Sequence, residues 1–206
     1  MSRPWLAFAL AVLPACAAKA QQKVPPVVPL ATPALAGQVV TVLPLTMAVT
    51  DPRLPGGGGG AAGRAATLAL FDSLLADLLQ ERAPEVTWML PPELRTIAAR
   101  APGMLPSPDR MGQSVLRDPK ATTVPDPLRG YLRNLLALAN GARFAFVPAA
   151  LTLAPAAGDS VEATVAAVLT DGRIGTVLWR TRAVGRAANA TDAIRVAVAT
   201  ILPVEP

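Results

Sequence analysis

The chain has 206 residues, of which 52% are hydrophobic, 4% aromatic and 16% charged, with 22 prolines, one cysteine and no histidine. The missing histidine excludes a Ser-His-Asp triad, a Cys-His pair, a His-ligated zinc and an imidazole proton shuttle. One cysteine excludes an internal disulfide framework and any multi-cysteine metal site. The length suits one globular domain plus a tail or targeting segment.

A net charge of +5 and a pI near 10.3 would point to nucleic acid if the charge were clustered on one face. It is not. Only three of the nineteen basic residues are lysines, and the arginines are scattered, the densest run being the alternating Arg180, Arg182, Arg186. Aromatic side chains to stack on bases are scarce, so a nucleic-acid partner is not expected.

Residues 1–20 read as an export signal. Basic Arg3 precedes the apolar run Trp5 to Leu13, and small residues follow. The run is shorter than the ~20 residues a membrane-spanning helix needs. Two cleavage readings stand side by side. Leu13-Pro14-Ala15-Cys16 resembles a lipobox, with Cys16 acylated as the new N-terminus; the alternative is ordinary cleavage after Ala18-Lys19-Ala20. Residues 21–37 carry Pro25, Pro26, Pro29 and Pro33, which predicts an extended polyproline-like tether.

Residues 38–202 form the predicted globular domain. Gln38 to Leu45 is a β-branched run and reads as a strand. Asp51 to Gly63, with five consecutive glycines, reads as a flexible loop. The spacing of Leu68, Phe71, Leu75, Leu78 and Leu79 predicts a helix over 64–82. A strand over 86–90 follows, then a short helix opened by Pro91-Pro92 and closed near Gly103. Residues 104–125 hold prolines and few periodic apolar positions, so a surface loop is expected, with a turn of helix near Met111 to Leu116.

Asp126-Pro127 reads as a cap and first-turn proline for a helix that stops at Asn140-Gly141. A third strand begins at Phe144 and extends toward Leu153. Ser160 to Thr170 and Arg173 to Ala183 are strands joined by Asp171-Gly172, a two-residue type I′ hairpin signal. Asn189 with Asp192 caps a last helix bearing Ile194, Val198 and Ile201. The order β-α-β-α-α-β-β-β-α predicts an α/β (α+β) domain, a mixed or largely antiparallel sheet of about five strands with helices packed on it.

No motif carries chemistry. Gly58 to Gly63 has the glycine spacing of a phosphate loop, but Arg64 and Ala65 stand where Lys and Ser or Thr are needed. Gly158-Asp159-Ser160 lacks the histidine base that an esterase block requires and reads as a turn. The carboxylates fall at helix surfaces (Asp72, Asp77, Glu81, Glu85) or at turns and caps (Asp51, Asp126, Asp171, Asp192). No metal, cofactor or catalytic residue is assigned. Arg110, Arg117, Lys120, Arg180 and Arg182 remain as a candidate contact surface built on the 104–125 loop and the last strand.

Several segments resemble one bacterial envelope domain. They are the opening strand ending in Val42-Leu43-Pro44-Leu45, the Leu-rich helix 64–82, and the junction Asn140-Gly141-Ala142-Arg143-Phe144. The hairpin with Gly175 to Trp179 and the closing helix complete the pattern. It is similar to the domain shared by the TolB amino-terminal region, CsgG and LpoB. That resemblance implies a non-enzymatic, exported protein, lipid-anchored at the outer membrane if Cys16 is acylated, that contacts an envelope protein partner. The second reading is a soluble periplasmic binding module for a small molecule or glycan.

Overall fold

A computed structural model describes residues 27–55 and 60–202. The signal peptide, Cys16 and the first part of the tether lie outside the described residues, as do Gly56 to Gly59. Strands are β1 (Val39–Val42), β2 (Ala48–Thr50), β3 (Thr87–Met89), β4 (Phe144–Ala156), β5 (Ser160–Asp171) and β6 (Thr176–Ala187). Helices are α1 (Gly60–Arg82), α2 (Pro91–Arg100), α3 (Leu128–Leu138) and α4 (Ala190–Ile201). They form one domain of the α+β class around a mixed, open, six-stranded sheet in the order β3-β1-β4-β5-β6, with β2 also paired to β4.

Pro44 explains why the opening strand stops short of Leu45 and why a separate strand, β2, not expected from the sequence, follows it. β1 pairs in parallel with Phe144 to Phe146, and β2 pairs in parallel with Leu151 to Leu153 of the same strand β4. Between them the chain passes Pro44, which has no N–H for the ladder, and β4 shifts register between Pro148 and Ala150. β2 is too short to show a period of its own.

The two faces of the sheet are covered differently. Alternating side chains send Val40, Val42, Phe146, Leu151 and Val165 to one face, against Phe71, Leu75 and Leu79 of α1 and Ile194, Val198 and Ile201 of α4. Each such side chain contributes about 1.5–3 kcal/mol by leaving water. The other face carries Ala145, Val147, Ala149 and Val168 under Leu94 of α2 and Leu132 and Leu136 of α3.

Three expectations are corrected. Residues 27–37 are docked on the domain rather than extended from it. Leu30 and Leu35 are buried, a 3₁₀ turn forms at Thr32–Leu35, and the Leu30 N–H donates to the Ile201 carbonyl at 2.9 Å. The Trp179 indole N–H donates to the carbonyls of Val28 and Pro29, both at 3.1 Å. Second, the 104–125 segment is a packed cover: Leu105, Met111, Leu116 and Val124 are buried, and two 3₁₀ turns, Pro108–Arg110 and Gln113–Arg117, hold its shape.

Third, β5 and β6 are joined by Gly172 to Gly175, not by a two-residue turn. The buried Asp171 carboxylate accepts the Arg173 N–H at 2.9 Å and the Arg143 Nε–H at 2.6 Å, which widens the turn around it. Smaller differences follow the same local logic. α1 starts at Gly60, four residues earlier than its apolar face indicates. Asp126 pairs with Arg129 at 2.7 Å and makes no cap hydrogen bond to α3. The predicted stop of α3 is present as Asn140 and Gly141 with φ of 54° and 70°.

Gly185 decides how closely α4 packs on β6. A Cβ there would lie 2.2 Å from the Ala193 carbonyl oxygen and 2.4 Å from the Ala197 nitrogen. Both are backbone atoms and cannot rotate away. Gly185→Ala is expected to lower stability by about 1–3 kcal/mol or more, seen as a lower urea midpoint. Gly130→Ala, inside α3 with open space at the Cβ position, is expected to raise it by about 0.5–1 kcal/mol.

Candidate functional site

β4, β5 and β6 extend beyond the reach of α2 and α3, and on that face the 112–125 segment is the last cover. Past it the sheet is bare, leaving a cleft of about 1180 Å³. Its floor is made of small side chains in register: Ala150 opposite Ala166, and Thr152 opposite Thr164. Arg182 stands across from Ala166 on β6 and edges the floor. Val115 and Arg117 rise on the loop side, and Val28 closes the rim.

Three of the five arginine and lysine positions expected at a contact surface line this cleft: Arg117, Arg180 and Arg182. They do different things. Arg180 is half-buried and donates to the carbonyl of Leu116 and, at 2.7 Å, to that of Ala121. It fastens the loop to the sheet, because an irregular segment has carbonyls that no ladder satisfies. Burial pulls its guanidinium below the ordinary arginine value, against the opposing charge of Asp118.

Arg182 is exposed and forms no ion pair among the described residues. Arg117 is exposed, with Nη1 against the Ser114 carbonyl at 3.2 Å and the Met47 sulfur at 3.5 Å. Lys120 is exposed beside the cleft wall, and Arg110 stands apart on the Pro108–Arg110 turn. Arg186, the third of the alternating run, is paired with Glu162 at 2.7 Å.

A second recess lies where sequence reading placed only a solvated helix face. β1 connects through α1 on one face of the sheet, and its parallel neighbour β3 connects through α2 on the other. Adjacent parallel strands with connections on opposite faces leave a crevice at their carboxyl ends. Here it measures about 600 Å³ and is lined by Leu45, Leu68, Asp72, Pro91, Arg95 and Asp109 among others. The Asp72 carboxylate accepts the Leu45 N–H at 2.9 Å and lies 3.4 Å from Arg95 Nη2. Arg95 gives its stronger bonds to Asp109, at 2.8 and 3.0 Å. Burial pushes Asp72 up to about 6, with the Leu45 amide and Arg95 pulling back.

A third cleft, about 860 Å³, opens between the starts of α1 and α4. Its arginines are engaged: Arg53 pairs with Asp51 at 2.8 Å, and Arg64 donates to the Thr46 carbonyl at 2.9 Å. Gly60 and Gly63 of the glycine stretch are on its wall, as parts of the first turn of α1. Among the described residues no group of three His, Cys, Asp or Glu side chains could hold a metal ion. No described helix is long and apolar enough to cross a membrane.

No protein-family model and no curated protein matches this chain. Solved structures similar to it include the PelC dodecamer from Paraburkholderia phytofirmans, at 11% identity over 86% of this chain and 92% of that one, with a TM-score of 0.39. The LpoB C-terminal domain from Salmonella enterica follows at 15% identity over 75% and 84%, TM-score 0.36. Lipoprotein GNA1162 from Neisseria meningitidis is similar at 17% identity over 74% and 84%, TM-score 0.34. LpoB, one of the proteins in the resemblance read from the sequence, is thus among these structures.

The arginines separate cleanly by measurement. Arg180→Ala is expected to lower stability by about 1.5–3 kcal/mol and to speed amide exchange over residues 116–121. Arg182→Ala is expected to leave stability within about 0.5 kcal/mol.

Asp72 gives a pH signature. Its native carboxyl binds the proton more tightly than the unfolded chain does, so its contribution falls as pH rises from about 4 to about 6. The change is on the order of 3 kcal/mol. Asp72→Asn keeps an acceptor for the Leu45 amide and removes the titration. Chemical denaturation at several pH values is expected to show the variant gaining on the wild type across that window.

Proposed function

We propose that this chain is an exported, non-catalytic envelope protein of the CsgG, TolB amino-terminal and LpoB kind. It is held at the outer membrane through an acylated Cys16 and acts by contact with another envelope protein. The observation that carries the reading is the cleft over β4, β5 and β6. It is broad, open, floored by alanines and threonines, and edged by a free arginine. That geometry suits a macromolecular surface better than a reaction centre, which needs a nucleophile or acid–base pair at hydrogen-bond distance.

The path of the chain supports it. Val28 lines the cleft, so the polypeptide coming from the N-terminal side joins the domain at the cleft rim.

Two measurements test the reading. The intact mass of the protein from the membrane fraction is expected to show a chain beginning at Cys16 and carrying acyl groups. Photo-crosslinkers at Val115 and Thr164 in intact cells are expected to capture one envelope protein that a crosslinker at Leu138, exposed on α3, does not. A soluble chain beginning at Gln21, with no adduct specific to the cleft, would overturn it. The small-molecule binding module would then take its place. The Asp72 crevice favours that second reading, because the Oδ2 of this half-buried carboxylate has only Arg95 at 3.4 Å and is a ready acceptor for a ligand donor.

A further inference from the structure

We infer that the cleft over β4, β5 and β6 takes an extended, acidic polypeptide segment of the partner, laid along the sheet floor with its carboxylates toward Arg182 and Arg117. This deepens the protein-contact reading and rests on it.

Charge comes first. Arg117, Arg180 and Arg182 line the cleft against one acidic residue, Asp118. Arg180 has its donors on the Leu116 and Ala121 carbonyls, yet its positive charge stays in the wall. Arg182 keeps all five N–H donors free of any carboxylate among the described residues. A carboxylate arriving there gains a forked, charge-assisted pair and displaces no existing one.

Shape comes second. The floor pairs Ala150 with Ala166 and Thr152 with Thr164, so no long side chain fills the space above the backbone. A polypeptide in extended form fits such a lane, with side chains alternating between floor and solvent. Val28 at 51% exposure and Val115 at 44% flank the lane as apolar contacts for the segment's non-acidic residues.

The lining decides between occupants. It contains no Trp, Tyr or Phe, so a sugar ring has no aromatic face to stack on, and a glycan is disfavoured. A bilayer presents a broad surface to a protein, whereas the bare floor here is recessed behind the 112–125 wall. The part of this chain that precedes Val27 carries Lys19 and Lys23, which a basic cleft repels.

The test uses a soluble chain of residues 21–206, which holds both cores entire, and follows amide resonances by NMR. The probe is a capped decapeptide of alternating Glu and Val, with a Lys-Val decapeptide as control. Shifts are expected at Val115, Thr152, Thr164, Ala166 and Arg182 with the acidic probe alone. They should weaken as salt rises from about 0.1 M to about 1 M, which shortens the screening length from about 10 Å to about 3 Å. Arg182→Glu is expected to weaken binding about tenfold or more, since it sets like charges against each other. Arg182→Ala, which leaves the floor intact, is expected to weaken it less.

Equal shifts with the Lys-Val probe, or shifts outside the cleft, would overturn the inference. So would binding to phosphatidylglycerol vesicles with no response to the peptide. Matching cleft shifts between chains beginning at Gln21 and at Val27 are expected; a difference there would assign the cleft to the chain's own N-terminal segment and overturn it too. Cleft-specific crosslinks in cells without acidic-peptide binding would leave the protein-contact reading standing and remove only the acidic chemistry.

Discussion

The arrangement of this domain follows from a mismatch in strand length. β4, β5 and β6 run for 13, 12 and 12 residues, while β1 and β3 run for four and three. At ~3.3 Å per residue the hairpin strands reach about 40 Å, far beyond the parallel part of the sheet. On one face α1, with 23 residues, spans nearly that distance at ~1.5 Å per residue, and α4 covers the β5–β6 side. On the other face α2 and α3 have ten and eleven residues and reach only about 15 Å each. The 104–125 segment extends the cover, and the strand ends beyond it stay open. The cleft is the uncovered remainder of a sheet longer than its helices.

That segment is irregular, so its backbone carbonyls must find donors elsewhere. Arg180 supplies two of them from the sheet, and Gln113 binds the carbonyls of Pro44 and Pro108 at 3.0 and 2.9 Å. Two residues further along β6 and on the same face, Arg182 meets no such acceptors. One arginine is therefore structural and the next is free, although they look alike in the sequence. The difference lies in where the loop ends, which is a non-local fact.

The same contrast between local and non-local causes explains what the sequence could tell. α3 and α4 are legible because apolar spacing, Asn189 and Asn140-Gly141 are local signals. Phe144 to Leu153 is legible as a strand for the same reason, and β4 runs three residues further. β2 is not, because its three residues pair with β4 through a lane shared with β1. Residues 27–37 look like a tether by proline content, but Leu30, Leu35 and the Trp179 hydrogen bonds outweigh it. Asp171-Gly172 looks like a tight turn, but the Asp171 carboxylate collects donors from Arg143 and Arg173 and opens the loop. Asp72 reads as a helix surface, and only the crossing of β1 and β3 connections shows it to be enclosed.

β6 links these features mechanically. On one face of the strand Trp179 packs against Phe146, ring centroids 6.1 Å apart, and holds Val28 and Pro29. Thr181 accepts the Val28 N–H at 3.3 Å. On the opposite face Arg180 and Arg182 form the cleft wall and edge. Side chains on a strand alternate by face, so consecutive residues serve the docked N-terminal segment and the cleft in turn. Gly185 lies on the same strand and lets the α4 backbone press against it, so the docked segment, the cleft wall and the α4 contact all meet on β6.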